Sequence, residues 1–412
     1  MKKINALNLL KFGFIFLALF PLIPNRVKGL PVILLLLFAI ILFFKKKRSK
    51  FNWILFLINS STFLVYLLSF LYTSNVSYAF KKLEISLSLL VFPLIFALIW
   101  SFRETLEFKV LLKIIICVFF HSVFVFSIIV FSYLSYVGLF SHLNEPGFIR
   151  YFTEYLPFIG QHSIYASIYL GLGLLCFVYL LKFKKSKKHQ VTLISEVLLI
   201  LLLLISLASK GVLIATFAAV TIYCLSIISK KKNRILILIS IVGFLFLSIK
   251  YSPSLSKRVN LFNSSIALTS NEGDLTSTQI RKAIYGCSLD LLKNNWVFGY
   301  GFGDVNDQLI RCYTIKSKYL LEGNFNSHNQ YLSILLGCGL LGLISILYLL
   351  YFNYKINIES KKYFFLSILI FFTIILAVEN ILERQSGVIL FSFFINLFSF
   401  ISFKENQFNK GK

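Results

Sequence analysis

Long apolar segments alternate with short polar segments along the whole chain. Each apolar segment approaches the roughly 20 residues that an α-helix needs to cross the hydrocarbon core of a bilayer. About twelve membrane-spanning helices are predicted, at residues 7–24, 29–44, 51–72, 83–101, 109–131, 163–181, 191–208, 211–229, 235–250, 329–352, 361–378 and 386–403. The pattern therefore predicts an all-α polytopic membrane protein, with residues 1–412 forming a single integral membrane domain.

One polar segment is much longer than the others. Residues 251–327 separate the ninth and tenth predicted helices and form the one large polar loop. Within this loop, the segment STQIRKAIYGCSLDLLKNN has apolar residues at helical spacing, which predicts an amphipathic helix that ends near Asn294 and Asn295. Its apolar face comprises Ile280, Ile284, Cys287 and Leu291. Arg281 and Tyr285 lie on another face of the same helix.

Composition and charge agree with this architecture and exclude nucleic-acid binding. Of the 412 residues, 58% are hydrophobic and only 14% are charged, which is too little polar surface for a soluble domain of this size. The formal net charge of +26 is concentrated in short loops at residues 45–50, 182–189 and 230–234. Short basic loops face the cytoplasm, so both termini are predicted to be cytoplasmic and the 251–327 loop to lie outside. The sequence offers no basic patch interleaved with aromatic side chains on a soluble face, as nucleic-acid binding would need.

The apolar segment 191–229 is too long for a single membrane helix. Basic clusters flank it on both sides, which places both of its ends in the cytoplasm. The segment must therefore fold as a helical hairpin whose tip lies near the sequence ASKG. Lys210 is thereby placed on the outer side, where the charge pattern otherwise disfavours lysine.

Candidate chemical groups are predicted at the outer ends of these helices. His328 stands where the polar loop gives way to the tenth helix, so it is expected in the first turn of that helix. The partial positive charge of a helix N-terminus disfavours imidazolium, and a neutral imidazole can act as a general base. Four cations are also predicted on the outer side, namely Lys210, Arg258, Arg281 and Arg311. Cations there suit an anionic substrate, and guanidinium groups bind diphosphate in bidentate fashion.

Two glycine-rich segments match ligand-binding motifs only in part. Gly337, Gly339 and Gly342 fit G-x-G-x-x-G, but they lie inside a predicted membrane helix with no preceding strand. Small residues in such a helix predict close helix packing instead of dinucleotide binding. The segment GYGFGDVND offers Asp304 and Asp307, but two carboxylates three positions apart are weak evidence for a metal, and a tight turn is favoured. No metal and no other cofactor is therefore predicted.

Two of the six cysteines, Cys287 and Cys312, fall in the polar loop. The sequence has no Cys-x-x-Cys or cysteine–histidine spacing typical of a metal site. Both loop cysteines are predicted on the outer side, where disulfides persist. A disulfide between them is a candidate cross-link, although the sequence does not set the distance between their Cα atoms.

Four segments in the C-terminal half resemble, in their order and placement, the O-antigen ligase and polymerase superfamily of bacterial envelope glycosyltransferases. LASKGVLIA is similar to the hairpin-tip motif of the family, with Lys210 where arginine is common. TQIRKAIYGCSLDLLKNNWVFGYGFG resembles the Arg-bearing loop helix followed by Gly-x-Gly-x-Gly. SHNQYLSILLGCGLLGLI resembles the His-Asn-x-Tyr-Leu element, and ENILERQSGVILFSFFINLF resembles the acidic loop before the last helix.

This resemblance implies a fold like that of class C glycosyltransferases and a specific reaction. The family transfers a glycan from undecaprenyl diphosphate to an acceptor hydroxyl, for a ligase that of lipid A-core, at the periplasmic face of the inner membrane. The transfer is metal-independent and inverts the anomeric centre. By this resemblance His328 takes the acceptor proton, and Arg281, with Lys210 or Arg258, stabilises the departing diphosphate. The candidates for substrate binding are Lys210, Arg258, Arg311, Asn329 and Tyr285.

Other functions are compatible with parts of the pattern. A polymerase of the same superfamily would use another lipid-linked repeat unit as acceptor, and the motifs favour the ligase only slightly. A polysaccharide flippase or secondary transporter would also have about twelve helices. Transporters often show paired halves, whereas the large loop here divides the predicted helices into nine and three. A non-catalytic scaffold would leave His328 and the outer arginines unexplained.

Overall fold

The computed structural model describes residues 6–46, 49–139, 141–142, 145, 147–183, 187–207, 209–228, 277–316 and 318–409. In these residues every regular element is an α-helix or a short 3₁₀ helix. The first ten α-helices are α1 (Ala6–Ala18), α2 (Leu30–Lys45), α3 (Trp53–Ser69), α4 (Val76–Ser86), α5 (Ser88–Leu98), α6 (Phe108–Tyr136), α7 (Phe148–Glu154), α8 (Ser163–Leu180), α9 (Lys187–Leu207) and α10 (Lys210–Ile227). The remaining six are α11 (Ser277–Asn295), α12 (Val305–Lys316), α13 (Lys318–Gly323), α14 (Gln330–Glu359), α15 (Tyr363–Val378) and α16 (Gln385–Asn409).

The helices confirm an all-α polytopic membrane protein. Eight helical segments of the described chain are long and apolar enough to cross a membrane, and α1, α3 and α15 are shorter apolar helices. Every predicted span thus corresponds to an apolar helix except the one at residues 235–250, which lies outside the described residues. The predicted span 83–101 is composite, because α4, α5 and a 3₁₀ turn together form the apolar segment Val76–Phe102. The first helix ends at Ala18, short of its predicted end, and is followed by a 3₁₀ turn that contains Pro21.

The last helix, α16, lies at the centre of the molecule. Within its apolar stretch, 94% of the residues are buried inside the protein, a larger share than in any other membrane-length helix described. Its aromatic side chains contact several neighbouring helices. Phe393 contacts the rings of Phe14 and Phe92 at centroid distances of 6.3 and 5.7 Å, and Phe398 stacks on Phe365 at 4.1 Å. The central helix therefore packs directly on α1, α5 and α15.

Buried amide side chains link α16 to α3 and α14. Asn59 Nδ2 donates to Asn396 Oδ1 at 3.1 Å, and Asn353 Nδ2 donates to Asn59 Oδ1 at 3.0 Å. Towards the end of the helices, Ser402 Oγ donates to Asn357 Oδ1 at 2.6 Å. Polar pairs of this kind fix the rotation of one membrane helix against another, because an unpaired amide would be costly in an apolar interior.

The predicted turn at the hairpin tip is present, while the helices on its two sides pack mainly on other helices, α9 on α8 and α6, and α10 on α15 and α8. Helix α9 ends at Leu207 and α10 begins at Lys210, so the turn falls at the expected ASKG sequence. At this tip a Cβ built on Gly211 would lie only 2.6 Å from Val378 Cγ2. The tip of the hairpin therefore packs tightly against the end of α15.

The glycines of α14 have a different role from the predicted helix packing. Gly339 adopts φ +60° and ψ −157°, and α14 is kinked there. The backbone of residues 297–301 inserts at the kink, where Tyr300 N and Gly301 N donate to Leu336 O and Gly337 O at 2.7 and 2.9 Å. Leu340 N in turn donates to Val297 O at 2.9 Å. The prediction of close helix packing was wrong at Gly337 and Gly339, because these two glycines make room for the backbone of a loop.

The described part of the polar loop forms a small helical unit with its own core. Helix α11 ends at Asn295 as predicted, and Ile284 and Cys287 on its apolar face are buried against α12. The candidate disulfide is confirmed, since Cys287 and Cys312 are bonded with their Cα atoms 5.8 Å apart. Asp304 attaches the unit to the α3–α4 connection, accepting hydrogen bonds from Ser74 N and Asn75 N at 2.7 Å each.

Candidate active site

A single carboxylate brings the two predicted catalytic residues together. Glu379 follows α15 directly and has extended backbone angles. Its Oε1 accepts a hydrogen bond from Arg281 Nη2 of α11. Its Oε2 lies 3.3 Å from His328 Nδ1. Three residues from three separate segments therefore form one cluster, which is called the Glu379 cluster below.

His328 lies outside α14, not in its first turn as predicted. The helix begins at Gln330 because Asn329 occupies the N-cap position, where its side chain accepts from Leu332 N at 3.1 Å. His328 precedes this cap and has φ +46°, in the left-handed region that few non-glycine residues adopt. Strained backbone of this kind is concentrated at functional sites. The imidazole is oriented by Glu379, whereas the prediction relied on the N-terminus of the helix.

Tyr285 and Asn329 both lie beside His328. The Tyr285 hydroxyl donates to His328 O at 3.3 Å, and burial raises the pKa of Tyr285, so that the phenol stays protonated. Asn329 caps α14 and also interacts with Tyr285. These contacts hold the backbone of His328 in place. The prediction that Tyr285 and Asn329 bind substrate stays a prediction.

The other predicted cations have different placements. Lys210 begins α10 at the hairpin tip, whose Gly211 touches Val378, the residue before Glu379. Arg311 is exposed on α12 and lines a separate surface cavity together with Asp290. Arg258 lies outside the described residues. Of the two cations that the structure describes, Lys210 lies on the segment that contacts the residue before Glu379.

Arg150 and His162 are ionisable residues near the Glu379 cluster that are not among the predicted site residues. Burial lowers the pKa of Arg150, partly offset by the carboxylates of Glu379 and Glu154, and Arg281 adds to the lowering. Burial also lowers the pKa of His162, and Arg150 contributes to that lowering. His162 therefore favours the neutral imidazole form at neutral pH. Both residues belong to a predicted outer loop, where cations and histidines are rare. That rarity is the feature of the sequence that could have identified them.

The loop after Glu379 is attached firmly to the start of α14. Asn380 Nδ2 donates to Ser327 Oγ at 3.0 Å and to Glu383 Oε1 at 2.8 Å. Leu382 N donates to the Gln330 side chain at 2.8 Å. These bonds join the loop to the residues on both sides of His328. The distance between Glu379 and His328 is thus set by a network of hydrogen bonds.

A polar cavity of about 180 Å³ adjoins this loop. It is lined by Asn25, Gln161, His162, Tyr165, Arg384, Gln385 and Ser386. Behind it, the buried Lys28 Nζ donates to Gln161 Oε1 at 2.6 Å and to Ser386 Oγ at 3.0 Å. The side-chain oxygen of Gln161 accepts from Lys28, so the Nε2 of Gln161 is directed away from Lys28. This Nε2 has no hydrogen-bond partner among the described residues. The amide, imidazole and guanidinium groups in the cavity lining can donate to a ligand rich in acceptor oxygens.

The carboxylates considered for a metal are engaged in protein contacts. Asp304 binds the backbone of the α3–α4 connection, and Asp307 Oδ2 accepts from Asn75 Nδ2 at 2.9 Å. These contacts agree with the favoured interpretation of a structural turn. In the part of the chain that the structure describes, no group of three or more His, Cys, Asp or Glu side chains could hold a metal ion.

Comparison with known proteins identifies the region that carries Arg281 and His328. Residues 196–347 match the family model described as O-antigen ligase. The matched range includes the hairpin tip, α11, α12 and the beginning of α14. The predicted relation to the O-antigen ligase superfamily is confirmed by this match. No curated protein matches the chain significantly.

Proposed function

Because residues 196–347 match the family model described as O-antigen ligase, we propose that the protein transfers a glycan from undecaprenyl diphosphate to an acceptor hydroxyl at the periplasmic face of the inner membrane. The proposed acceptor is lipid A-core. The observation that carries the proposal is the meeting of Arg281, Glu379 and His328 in one cluster. That cluster combines a base with a cation for a phosphorylated leaving group.

In this proposal His328 is the general base. Its Nδ1–H donates to Glu379 Oε2, which leaves Nε2 with a free lone pair for the acceptor hydroxyl. The hydroxyl oxygen attacks the anomeric carbon as its proton passes to Nε2. Glu379 then stabilises the imidazolium that forms, as a carboxylate does for a catalytic histidine in hydrolases. A single displacement of this kind inverts the anomeric centre.

Arg281 is the proposed partner of the leaving group. As the bond between the anomeric carbon and the diphosphate oxygen breaks, the electron pair goes to the diphosphate. A guanidinium has five N–H donors, so Arg281 can bind Glu379 and diphosphate oxygens together. The proximity of Arg150 and the hairpin tip with Lys210 supports a cationic surface here. Fixed charges of this type are worth about 3–4 kcal/mol of transition-state stabilisation per well-placed donor.

The polar cavity is the proposed place for the sugar next to the diphosphate. Its amide, imidazole and guanidinium groups suit the hydroxyl and carbonyl oxygens of a glycan. Arg384 belongs to the loop that begins at Glu379, and Ser386 follows in the first turn of α16, so the cavity and the cluster are structurally joined.

Glycans in cells that lack this protein provide the test. Full-length chains that remain on the lipid carrier would support the ligase reaction. Accumulation of single unpolymerised repeats would show that the protein is a polymerase. A normal envelope glycan with no lipid-linked intermediate would contradict both reactions.

Transfer is also proposed to need no metal, in line with the superfamily. Activity of the purified protein is expected to survive EDTA. Loss of activity on chelation, with recovery in Mg²⁺ or Mn²⁺, would contradict this proposal and would direct attention to Asp304 and Asp307.

A further inference from the structure

A second cavity lies at the opposite end of the helices that carry the Glu379 cluster. It measures about 320 Å³ and is bounded by α6, α8, α15 and α16. Helix α15 begins at this cavity with Tyr363 and ends beside Glu379. Sixteen residues of α-helix span about 24 Å, so the two sites lie on opposite sides of the molecule. We call this second site the lysine cavity.

The lysine cavity is strongly cationic. Five of its twelve lining residues are lysines, namely Lys109, Lys113, Lys182, Lys361 and Lys362, and none of the twelve is acidic. Glu107, the carboxylate nearest to Lys109 in sequence, does not line the cavity. Like charges that face one space, such as Lys109, Lys113 and Lys361, repel each other, and an anion bound among them would relieve that repulsion.

The walls of the lysine cavity are apolar and aromatic. Phe364, Phe365 and Ile401 line it, and the ring of Phe183 lies 4.1 Å from Lys113 Nζ. A freely soluble anion makes no favourable contact with such apolar walls, whereas the glycerol backbone and first methylenes of a lipid can pack against them. Basic pockets between membrane helices at a cytoplasmic surface bind anionic headgroups in this way. The basic loops at this end are those predicted to face the cytoplasm.

Lys361 occupies a position where glycine would be more stable. It follows the C-terminus of α14 with φ +53°, and Lys362 N and Lys361 N close the helix by donating to Asn357 O and Ile358 O. This arrangement favours glycine at the left-handed position, because glycine has no Cβ to clash there. A lysine at this position lowers the stability of the fold. This loss is explained if the ammonium group of Lys361 binds a ligand in the cavity.

We propose that the lysine cavity binds the phosphate headgroup of an anionic phospholipid from the cytoplasmic leaflet. The inference rests on the cavity alone and is independent of the proposed transfer reaction. It predicts that the full-length protein, purified in a non-ionic detergent, unfolds at a higher temperature when phosphatidylglycerol or cardiolipin is added. Phosphatidylcholine, which has no net charge, should give a much smaller shift. Glycerol phosphate at the same concentration should also give a much smaller shift, because it lacks acyl chains.

Two substitutions test the location of the site. Lys361→Gly relieves the left-handed strain, so it should preserve or raise the unfolding temperature without lipid while weakening lipid binding about fivefold, the effect of one lysine near a membrane surface. Lys113→Gln should weaken binding by a similar factor. Lys355→Gln serves as the matched control, because Lys355 is exposed on α14 and does not line the cavity.

Three results would overturn the proposal. Equal stabilisation by phosphatidylcholine and phosphatidylglycerol would show that the cavity does not select charge. An equal response to glycerol phosphate would show a site for soluble phosphate. Wild-type lipid affinity in both Lys361→Gly and Lys113→Gln would place any anionic lipid elsewhere on the protein.

Discussion

Glu379 is the residue on which the geometry of the candidate site depends. One carboxylate oxygen binds a guanidinium and the other binds an imidazole, so a single side chain fixes the base relative to the cation. The carboxylate is mostly buried, which strengthens both interactions by excluding water. The hydrogen bonds of Asn380 and Leu382 hold the loop behind it.

The base and the cation should each be essential for transfer. His328→Ala removes the proton acceptor and should slow glycan transfer by roughly 10²–10⁴-fold, the usual contribution of general-base catalysis. Arg281→Ala should cost a similar or larger factor, because diphosphate charge develops as the glycosidic bond breaks. Arg281→Lys should recover only part of the activity, since an ammonium group lacks the planar fork. The measurement is in vitro transfer by purified variants with unchanged unfolding temperatures, and near wild-type rates in both alanine variants would refute this active site.

Glu379→Gln tests the role of the carboxylate itself. The amide has almost the same shape but no charge, so it can neither stabilise imidazolium nor neutralise Arg281. We expect a fall in the transfer rate of about 10²–10⁴-fold, up to that caused by removing the carboxylate charge from a catalytic triad. Glu84→Gln, at an exposed carboxylate of α4, should leave the rate unchanged. Equal rates for wild type and Glu379→Gln would mean that the carboxylate only stabilises the fold.

The sequence predicts the candidate site in part. His328 and Arg281 can be found from sequence because a histidine and arginines are rare on the outer side of a membrane protein. Glu379 belongs to a loop recognised only as an acidic motif, and its pairing with Arg281 joins two segments that are 98 residues apart in sequence. Arg150 on α7 is close enough to Glu379 and Arg281 to interact with them electrostatically, a proximity that no local pattern encodes.

At the scale of elements, the kink in α14 connects the polar loop to the membrane helices. Gly339 lies in a region of backbone angles open almost only to glycine, and a Cβ there would lie 2.1 Å from Val297 O. The inserted backbone of residues 297–301 directly follows α11, the helix that bears Arg281. The kink therefore helps to place Arg281 relative to His328, which precedes the same helix.

Gly339→Ala should disrupt this junction. The added methyl group forces the loop backbone away and also strains the kink, with an expected loss of about 1–3 kcal/mol of folding stability from overpacking alone. Gly138→Ala is a matched control, because Gly138 also has a positive φ but has open space around it. Its cost should be limited to the left-handed strain of about 1–2 kcal/mol. Thermal unfolding of the two variants compares these costs, and a smaller loss in Gly339→Ala than in Gly138→Ala would contradict the importance of the inserted loop.

The membrane helices are predictable from sequence because the length of an apolar segment is itself the physical requirement for crossing a bilayer. The hairpin tip at Lys210 follows from charge on either side of a segment too long for one helix. The kink at Gly339 is different, since its cause is the backbone of residues 297–301, far away in the sequence. Sequence alone shows three small residues in an apolar helix, which is equally typical of helix packing.

At the scale of the whole molecule, α15 runs between two sites that are proposed to face opposite sides of the membrane. Its end at Val378 leads into the Glu379 cluster, and its beginning at Tyr363 lines the lysine cavity. The proposed transfer requires the first site to face the periplasm, and the proposed lipid site requires the second to face the cytoplasm. Both proposals therefore depend on one orientation of the helix bundle.

Labelling in intact cells tests this orientation. In a background without the four free cysteines, Lys210→Cys and the exposed Lys282→Cys on α11 should react with a membrane-impermeant maleimide before lysis. Lys361→Cys, at the opposite end of α15, should react only after lysis. Tyr136→Cys at the predicted outer end of α6 is a positive control, because Tyr136 is 85% exposed. If Lys361→Cys were labelled in intact cells while the other three were protected, the bundle would be inverted. The Glu379 cluster would then face the cytoplasm, and transfer at the periplasmic face by these residues would be ruled out.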